Sequence, residues 1–399
     1  MDLRSGLSYW RAKNPSIGPF PKFEGEAECD VAVVGGGITG AMIAYHLTQS
    51  GQSAVLLDKR DLGTGSTAAS TGLLMYEMDE LLVDLIEKRG ENAAVLAYRC
   101  GLQAIDEFEQ LVADLGFPCG FARRPSLHFA SRPADVESLR REHECRRAHG
   151  FNVEFLDAGA LRERSSIAAP AALYSLDDAQ IDPVQLTAAL LSRAREGGLR
   201  IFGGSAVQHV RPVGDAHLLE TDFGRVTAGS VVLAGGYESV NWVDQNLAKL
   251  QTTYVVTSEP LLSSAGWPEA CLVWETAHPY FYARQTQEGR AMIGGEDSDS
   301  AEDHQDSNLV QAKAERLQRR FHELFPALPF VPAYAWAGTF AESKDGLAYI
   351  GSPPGRDKQY FALGYGGNGI TFGLIAARLI ADLVVGRPNE AAAVFRFGR

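Results

Sequence analysis

Apolar and polar positions follow first a strand-like and then a helix-like period near the start of the chain, from Asp30 to Asp58. The run DVAVV predicts a buried strand, and GGGITG stands where that strand turns into a helix. Residues 53–57 predict a second strand, which ends at Asp58. This order of strand, glycine turn, helix and strand predicts a βαβ unit with parallel strands.

The glycine turn has the spacing of a dinucleotide-binding site. Gly35, Gly37 and Gly40 follow the pattern G-x-G-x-x-G, in which the backbone approaches a pyrophosphate and the helix packs closely on the strand. The helix directs its free amides and the positive end of its dipole at the phosphates. Asp58 would accept the hydroxyl groups of an adenosine ribose, and its charge disfavours a 2′-phosphate. A glycine turn with a purely structural role is the alternative interpretation.

The remaining pattern predicts an α/β fold combined with an antiparallel sheet. Helices are predicted over residues 79–116, 135–149, 184–195, 310–325 and 374–385. Strand-like runs between Gly, Pro and polar turns predict an antiparallel sheet over residues 250–300. Because the two kinds of segment alternate, each domain is predicted to be discontinuous. The dinucleotide-binding domain would comprise residues 1–90, 150–240 and 335–399, and the substrate domain would comprise residues 91–149 and 241–334.

Composition and charge exclude several classes of protein. The chain has 399 residues, 45% of them hydrophobic, and its net charge of −13 argues against nucleic acid or an anionic membrane surface as partner. The basic run at 140–147 is interrupted by Glu142 and Glu144, which predicts a solvated helix face. No apolar run approaches the ~20 residues of a membrane span, and the first residues lack a secretory signal, so we predict a cytoplasmic protein. The five cysteines form no C-x-x-C pair and the histidines lack metal-ligand spacing, so we expect reduced thiols and no metal site.

Three blocks of sequence together resemble the D-amino acid oxidase (DAO) superfamily of flavoproteins, which includes glycine oxidase, sarcosine oxidase and γ-glutamylputrescine oxidase. The blocks are DVAVVGGGITG with Asp58, the loop GTGSTAASTG, and the C-terminal pair KDGLAYIG and GYGGNGITFG. The pair Tyr9-Trp10 resembles the γ-glutamylputrescine oxidase branch in particular. The resemblance implies a Rossmann-like FAD-binding domain interleaved with an α+β substrate domain.

The resemblance also implies which residues contact FAD. Gly35, Gly37 and Gly40 would hold the pyrophosphate, and Asp58 would hold the ribose with Lys59 beside it. The loop would lie along the pyrophosphate, ribityl chain and flavin ring through Ser66, Thr67, Ala69, Ser70, Thr71 and Gly72. Val207 would contact the adenine, and Ala234 and Gly235 would pass beneath the nucleotide. Helix amides would face the pyrimidine end of the flavin at Gly366, Gly367, Asn368, Gly369 and Ile370.

Non-covalent binding of FAD is expected. Relatives that attach the flavin covalently use a Cys or a His beside the ring, and neither residues 66–72 nor residues 338–346 contain one.

The implied reaction is oxidation of the C–N bond of an amine or amino acid, in which hydride passes to the flavin and the resulting imine is hydrolysed. The electron acceptor would be oxygen or another acceptor. Two alternatives stay open: a flavoprotein dehydrogenase subunit that needs a partner, and a binding module that keeps FAD without catalysis. In sarcosine oxidase-like members a Lys activates oxygen, and Met292 stands at that position here, so fast reaction with oxygen is in doubt.

The substrate pocket departs from the glycine oxidase pattern. An Arg that grips the amino-acid carboxylate is expected ahead of the Asp-Gly pair, and Phe340 stands there instead, unless Arg284 supplies that contact. Glu77, with its neighbours Asp79 and Glu80, would recognise the distal ammonium of a polyamine-type substrate, or would simply begin the next helix. Aromatic residues of the antiparallel sheet are candidates to line the pocket: Tyr280, Tyr282 and Tyr254.

Overall fold

The computed structural model of the protein describes residues 4–243 and 247–399. The helices are α1 (Tyr9–Lys13), α2 (Ile38–Gln49), α3 (Ser66–Ala69), α4 (Leu82–Arg89), α5 (Glu91–Leu115), α6 (Val136–Ala148), α7 (Ala158–Arg164), α8 (Pro183–Glu196), α9 (Ser307–Leu324), α10 (Gly369–Val384) and α11 (Ala391–Phe395). The strands are β1 (Arg4–Gly6), β2 (Gly25–Val34), β3 (Ala54–Leu57), β4 (Leu73–Leu74), β5 (Ala122–Phe129), β6 (Val153–Asp157), β7 (Ala171–Gln180), β8 (Arg200–Phe202), β9 (Val207–Val213), β10 (Ala216–Thr221), β11 (Gly224–Leu233), β12 (Ala248–Pro260), β13 (Leu272–Glu275), β14 (Phe281–Gln285), β15 (Arg290–Ser298), β16 (Pro332–Ser343), β17 (Tyr349–Gly351) and β18 (Gln359–Leu363).

An eight-stranded sheet forms the first half of the molecule, with the strand order β17-β18-β11-β2-β3-β8 and with β10 and β9 continuing from β11. The strands β18, β11, β2, β3 and β8 are parallel to one another. Their carboxyl ends therefore meet at one edge, where ligands bind in open α/β sheets. Helices α2, α8 and α10 pack together in the main hydrophobic core.

A ten-stranded sheet forms the second half, with the order β1-β16-β12-β15-β14-β13-β5-β7-β4 and with β6 paired to β7. Its pairs are antiparallel except β13 with β5. Helix α9 packs against β12, β15 and β16 through a separate hydrophobic core. The two sheets confirm the predicted fold class, in which a Rossmann-like half is interleaved with an antiparallel half.

Two segments lie differently from the sequence-based assignment. Strands β6 and β7 pair in the ten-stranded sheet, although residues 150–240 were assigned to the dinucleotide-binding domain. Helix α5 packs in the main core beside α10, although residues 91–149 were assigned to the substrate domain. An apolar stripe predicts a helix but does not indicate which sheet it covers, so the domain boundaries stay a prediction.

The predicted helix over 79–116 is two helices, α4 and α5, which are separated by Gly90 with φ 80°. No helix in the ranges 4–243 and 247–399 is long and apolar enough to cross a membrane.

Candidate active site

A cavity of about 1300 Å³ is lined by residues of both sheets. Its first end lies at the carboxyl ends of β2, β3 and β11, which contribute Val34, Leu57 and Leu233. Its second end lies on the ten-stranded sheet, where β12, β14, β15 and β16 contribute polar and aromatic side chains. The cavity therefore connects the predicted dinucleotide site with the predicted substrate pocket.

The glycine turn at the end of β2 adopts the predicted close approach. Gly35 has φ +112°, and a Cβ atom there would lie 2.5 Å from the carbonyl oxygen of Ala234. A Cβ atom at Gly40 would lie 1.8 Å from the carbonyl oxygen of Gly35. Gly40 does not line the cavity, whereas Gly35 and Gly37 do. Gly40 thus allows α2 to pack on the turn, and the other two glycines expose backbone to the cavity.

Asp58 follows β3 and fixes the same turn. One carboxylate oxygen accepts from the Gly36 amide at 2.6 Å, and the other accepts from the Arg60 amide at 2.7 Å. Burial raises the pKa of Asp58, although these two backbone donors act in the opposite direction. The side chain lines the cavity, and each oxygen keeps a further lone pair for a ligand hydroxyl. Lys59 and Arg60 line the same end, and both form ion pairs with Glu238.

The 66–72 loop contains α3 and leads into β4. Four of the predicted contacts, Ser66, Ala69, Ser70 and Thr71, line the cavity. Thr67 also lines it, and its hydroxyl accepts from the Ile38 amide at 2.9 Å at the start of α2. Gly72 is the exception to the prediction, because it is buried away from the cavity, where a Cβ atom would lie 2.3 Å from the carbonyl oxygen of Ile181.

The C-terminal glycine block is tied to the segment that follows the 66–72 loop. All five predicted residues line the cavity: Gly366, Gly367, Asn368, Gly369 and Ile370. The Asn368 side-chain amide donates to the carbonyl oxygen of Glu77 at 2.7 Å. The Gly367 amide donates to a carboxylate oxygen of Asp79 at 2.7 Å. The start of α10 and residues 75–79 therefore form one wall of the cavity.

Aromatic side chains of the ten-stranded sheet form the opposite wall. Tyr280 and Tyr282 line the cavity with their ring centroids 6.1 Å apart. The ring of Tyr282 crosses Gly294 on the paired strand, where a Cβ atom would lie 2.4 Å from the phenol oxygen. Burial raises the pKa of both phenols, so they stay protonated at neutral pH. Phe340 also lines the cavity.

The structure contradicts one candidate for the pocket on this sheet, Tyr254, and the alternative role considered for Arg284. Tyr254 is fully buried in the core under α9, and its hydroxyl lies 3.0 Å from that of Ser298. Arg284 does not line the cavity, because its Nη1 atom donates to the backbone carbonyl oxygens of Thr71, Gly72 and Ile181. Arg284 is consequently committed to the protein backbone and does not replace the missing carboxylate-binding Arg.

Glu77 lines the cavity but belongs to a buried charge cluster. One carboxylate oxygen accepts from Arg146 Nη1 at 3.1 Å and from the Ser126 hydroxyl at 3.1 Å. Arg146 also donates to Glu142 at 2.6 Å, and all three charged side chains are at most 1% exposed. The predicted solvated face at 140–147 is therefore wrong for Glu142 and Arg146, and the charge of Glu77 is already compensated.

Three carboxyl groups at the second end of the cavity have no ion-pair partner within residues 4–243 and 247–399: Asp79, Asp297 and Glu342. We call them the acidic triad. Desolvation by the surrounding protein, together with the charges of Glu342 and Asp297, raises the pKa of Asp79 to about 6, although the Gly367 amide acts in the opposite direction. Burial likewise raises the pKa of Asp297 to about 6. These groups repel one another electrostatically, and a bound cation would relieve that repulsion.

The FAD dependent oxidoreductase family, DAO, matches residues 30–383. The chain belongs to this family. The gamma-glutamylputrescine oxidoreductase of Escherichia coli (strain K12) is 29% identical to this FAD-dependent oxidoreductase over 395 residues, which cover 95% of this chain and 89% of the relative. The glycine oxidase of Geobacillus kaustophilus (strain HTA426) is 27% identical over 366 residues, which cover 89% of this chain and 92% of the relative.

The crystal structure of glycine oxidase from Geobacillus kaustophilus has the same fold as this FAD-dependent oxidoreductase, with a TM-score of 0.79 and 24% identity. The superposition covers 94% of this chain and 99% of that chain. The prediction that the chain belongs to the DAO family is confirmed, and FAD is the cofactor.

The cavity fits FAD on two observations. Its volume of about 1300 Å³ exceeds the roughly 300–1,000 Å³ of an ordinary small-molecule site, as a dinucleotide with a substrate requires. The first end presents exposed backbone at Gly37, where a Cβ atom would meet only the Thr67 hydroxyl, at 3.0 Å. Val207, Ala234 and Gly235 line the same end. The contact of each predicted residue with the cofactor remains a prediction.

Sequence reasoning missed two members of the acidic triad, Asp297 and Glu342. Glu342 lies two residues after Phe340 on β16, so strand alternation places both on the cavity face. Asp297 follows an irregularity in the pairing of β15 with β12, and a shift of register cannot be derived from strand period alone.

Proposed function

We propose that this FAD-dependent oxidoreductase oxidises the C–N bond of an amine that carries a further positive charge, such as a diamine or a derivative of one. The observation that carries the proposal is the charge of the cavity at its second end. Asp79, Asp297 and Glu342 face this space and form no ion pair among the described residues, although the charge of Lys313, which is paired with Glu296, acts to lower the pKa of Asp297. A substrate with a second ammonium group would supply the missing charge.

The same cavity disfavours a simple α-amino acid. The lysine and arginine side chains that line it in the described ranges are Lys59 and Arg60, and both are paired with Glu238 at the adenosine end. Phe340 offers no hydrogen-bond donor to a carboxylate, and Arg284 does not line the cavity, since its Nη1 atom donates to backbone carbonyls outside it. An α-carboxylate beside the acidic triad would therefore meet repulsion without a compensating cation.

The names of the relatives bear on this choice. One relative is a gamma-glutamylputrescine oxidoreductase, whose name denotes an amine derivative, and another is a glycine oxidase, whose name denotes an amino acid. Phe340 in place of a carboxylate-binding Arg supports the first kind of substrate for this chain.

FAD, when bound, supplies a two-electron acceptor for the hydride of the carbon next to the amine nitrogen. The residues of the chain must present that nitrogen in its neutral form, because its lone pair forms the C=N bond as the hydride leaves. Asp79 or Asp297 can accept the ammonium proton, since the pKa of each is about 6 and each carboxylate is ionised at neutral pH. Tyr280 and Tyr282 wall the cavity with apolar rings, which limits water around the reacting carbon. Water then hydrolyses the released imine.

The electron acceptor is proposed to be oxygen or another small acceptor. Met292, which stands where sarcosine oxidase-like members keep a Lys, is buried in a cluster with Trp10 and Trp336 and does not line the cavity. That position therefore gives no support for rapid reaction with oxygen. The rate at which air-saturated buffer reoxidises the reduced enzyme measures this directly.

The test of the substrate class compares two variants of the acidic triad with a control. Asp297→Asn and Glu342→Gln remove one negative charge each, and Asp215→Asn removes one from the exposed turn between β9 and β10. Anaerobic flavin reduction by a diamine and by a monoamine of equal chain length is followed by stopped-flow absorbance. We expect the diamine Kd to rise about tenfold in the triad variants and to stay unchanged in the control. Equal effects of Glu342→Gln on the diamine and the monoamine would contradict the proposal, because Glu342 has no role at the reacting nitrogen.

A further inference from the structure

The outer face of the 66–72 loop, opposite the cavity, carries four consecutive backbone carbonyl groups that each accept a side-chain hydrogen bond. The Trp336 indole donates to Ala69 at 2.9 Å, and the Trp10 indole donates to Ser70 at 2.6 Å. Arg284 Nη1 donates to Thr71 at 2.9 Å and to Gly72 at 2.7 Å. The inner face of the same loop lines the FAD cavity, so these donors hold the loop from behind.

The donor side chains come from distant parts of the sequence and are all buried. Trp10 lies on α1, Arg284 on β14 and Trp336 on β16, and each is 1% exposed. The Arg284 guanidinium lies 5.6 Å from the centroid of the Trp10 ring, which adds a cation–π contact between two of the donors. Loss of an indole donor leaves the carbonyl group of Ala69 or Ser70 without its side-chain partner, whereas the Gly72 carbonyl keeps the Ile181 amide at 2.9 Å.

Gly72 makes the contact with Arg284 possible. It has φ +72°, and a Cβ atom there would lie 2.8 Å from Arg284 Nη1. The glycine that the sequence pattern associates with the cofactor therefore serves the outer face of the loop.

Helix α1 lies ahead of the segment that the family matches, residues 30–383. It is nevertheless anchored to the body of the protein. Lys13 forms ion pairs with Glu288 at 2.6 Å and with Asp182 at 3.3 Å, and the Tyr9 hydroxyl donates to Glu288 at 2.6 Å. Trp10 is thereby held in a fixed position against the loop.

We propose that Trp10, Trp336 and Arg284 form an outer clamp that sets the conformation of the 66–72 loop, so that α1 is a working part of the FAD site. Burial lowers the pKa of Arg284 to about 10, so the side chain remains charged at neutral pH. These are positioning residues, since they act on the cofactor through the loop.

The first test measures FAD affinity in matched tryptophan variants. Trp10→Phe and Trp336→Phe remove an indole donor and keep an aromatic ring. Trp267→Phe is the control, because the Trp267 indole is 2% exposed and donates to the carbonyl oxygen of Cys271 at 2.7 Å in the core under α9. The Kd is obtained by titrating apoprotein with FAD and following the quenching of flavin fluorescence.

The loss of one buried hydrogen bond should raise the FAD Kd about tenfold in Trp10→Phe and Trp336→Phe. The control should keep the wild-type Kd while losing similar thermal stability. An unchanged Kd in Trp10→Phe, or an equal loss of affinity in Trp267→Phe, would overturn the clamp. The readout involves no substrate, so it is independent of the proposed amine class.

The second test separates the charge of Arg284 from its packing. Arg284→Met removes the charge, and Arg284→Lys keeps a charge with three donor hydrogens. We expect the FAD Kd to rise about tenfold in Arg284→Met and to return part of the way to wild type in Arg284→Lys, because lysine restores a charged donor to the loop carbonyls. A wild-type FAD Kd in the folded Met variant would overturn the role of Arg284 in the clamp.

Discussion

Replacing Arg146 with methionine should destabilise the protein far more than an ordinary change on a helix. Arg146 is fully buried and donates to Glu142 at 2.6 Å and to Glu77 at 3.1 Å. Its guanidinium also lies 5.7 Å from the ring centroids of Tyr76 and Tyr98. Methionine fills a similar volume but provides neither the charge nor the donors, so two buried carboxylates lose their cation.

The size of the effect follows from what remains after the substitution. Glu142 would still accept from the amides of Leu82 at 2.9 Å and Val83 at 3.0 Å, whereas Glu77 would keep the Ser126 hydroxyl and the neighbouring carboxyl group of Asp178 but no cation. Removing one partner of a buried ion pair costs about 3–5 kcal/mol, because the other charge stays buried and uncompensated. We therefore expect the free energy of unfolding to fall by about 3–5 kcal/mol.

The pH dependence gives a second signature. Burial and the charge of Glu77 already raise the pKa of the neighbouring Asp178 well above its ordinary value. In the variant the carboxyl groups of this cluster should bind protons in the folded state that the unfolded state releases. The folded state then binds more protons, so the variant should lose stability as the pH rises above the ordinary carboxyl range, and should recover it at lower pH.

Urea unfolding followed by circular dichroism measures both effects with FAD in excess. Arg141→Met is the matched control on the same helix, because Arg141 is exposed and its ion pair with Glu87 spans 3.3 Å at the surface. The control should lose less than about 1 kcal/mol. If Arg146→Met lost no more than the control, or showed no recovery at low pH, the reasoning about this cluster would be refuted.

Three further predictions follow from the site. Gly40→Ala should abolish FAD retention, because the added Cβ atom would lie 1.8 Å from the carbonyl oxygen of Gly35. Retention is measured as the ratio of flavin to protein absorbance, and an unchanged ratio would contradict the role of this glycine turn in FAD binding. The ratio of the flavin reduction rate to the substrate Kd should fall as the pH drops through about 6, because Asp79 and Asp297 become protonated and neutral there. A ratio that stays constant down to pH 5, after correction for ionisation of the amine, would contradict a role for both carboxyl groups. Acid precipitation should release all flavin into the supernatant as free FAD, and flavin that stays with the pellet would indicate a covalent bond.

The FAD end of the cavity was the most predictable part of the molecule. The spacing of Gly35, Gly37 and Gly40 and the position of Asp58 are local in sequence, and close backbone approach restricts the residues that such a turn tolerates. The fold class followed for the same reason, since strand and helix periods are local patterns. The assignment of β6, β7 and α5 to a sheet was not predictable, because pairing across long sequence separation leaves no periodic signal.

The substrate end was predicted less well because its charges are compensated by distant residues. Glu77 was expected to face a substrate ammonium, but Arg146 neutralises it from a helix whose pattern predicted a solvated face. Arg284 was the alternative carboxylate-binding residue, but its Nη1 atom donates to carbonyls of the 66–72 loop and the side chain does not line the cavity. From the sequence alone, a charged residue in a buried ion pair or in a buried contact with carbonyl groups cannot be distinguished from a charged residue at the surface.

Anaerobic titration of the purified yellow protein tests the central claim most directly. A diamine should bleach the flavin absorbance in one two-electron step, at a concentration well below that needed for the matching monoamine, and glycine should leave the spectrum oxidised. Bleaching by glycine at a lower concentration than by the diamine would contradict the assignment of a cationic amine as substrate. Failure of every amine to reduce a flavin that dithionite reduces readily would contradict C–N oxidation itself.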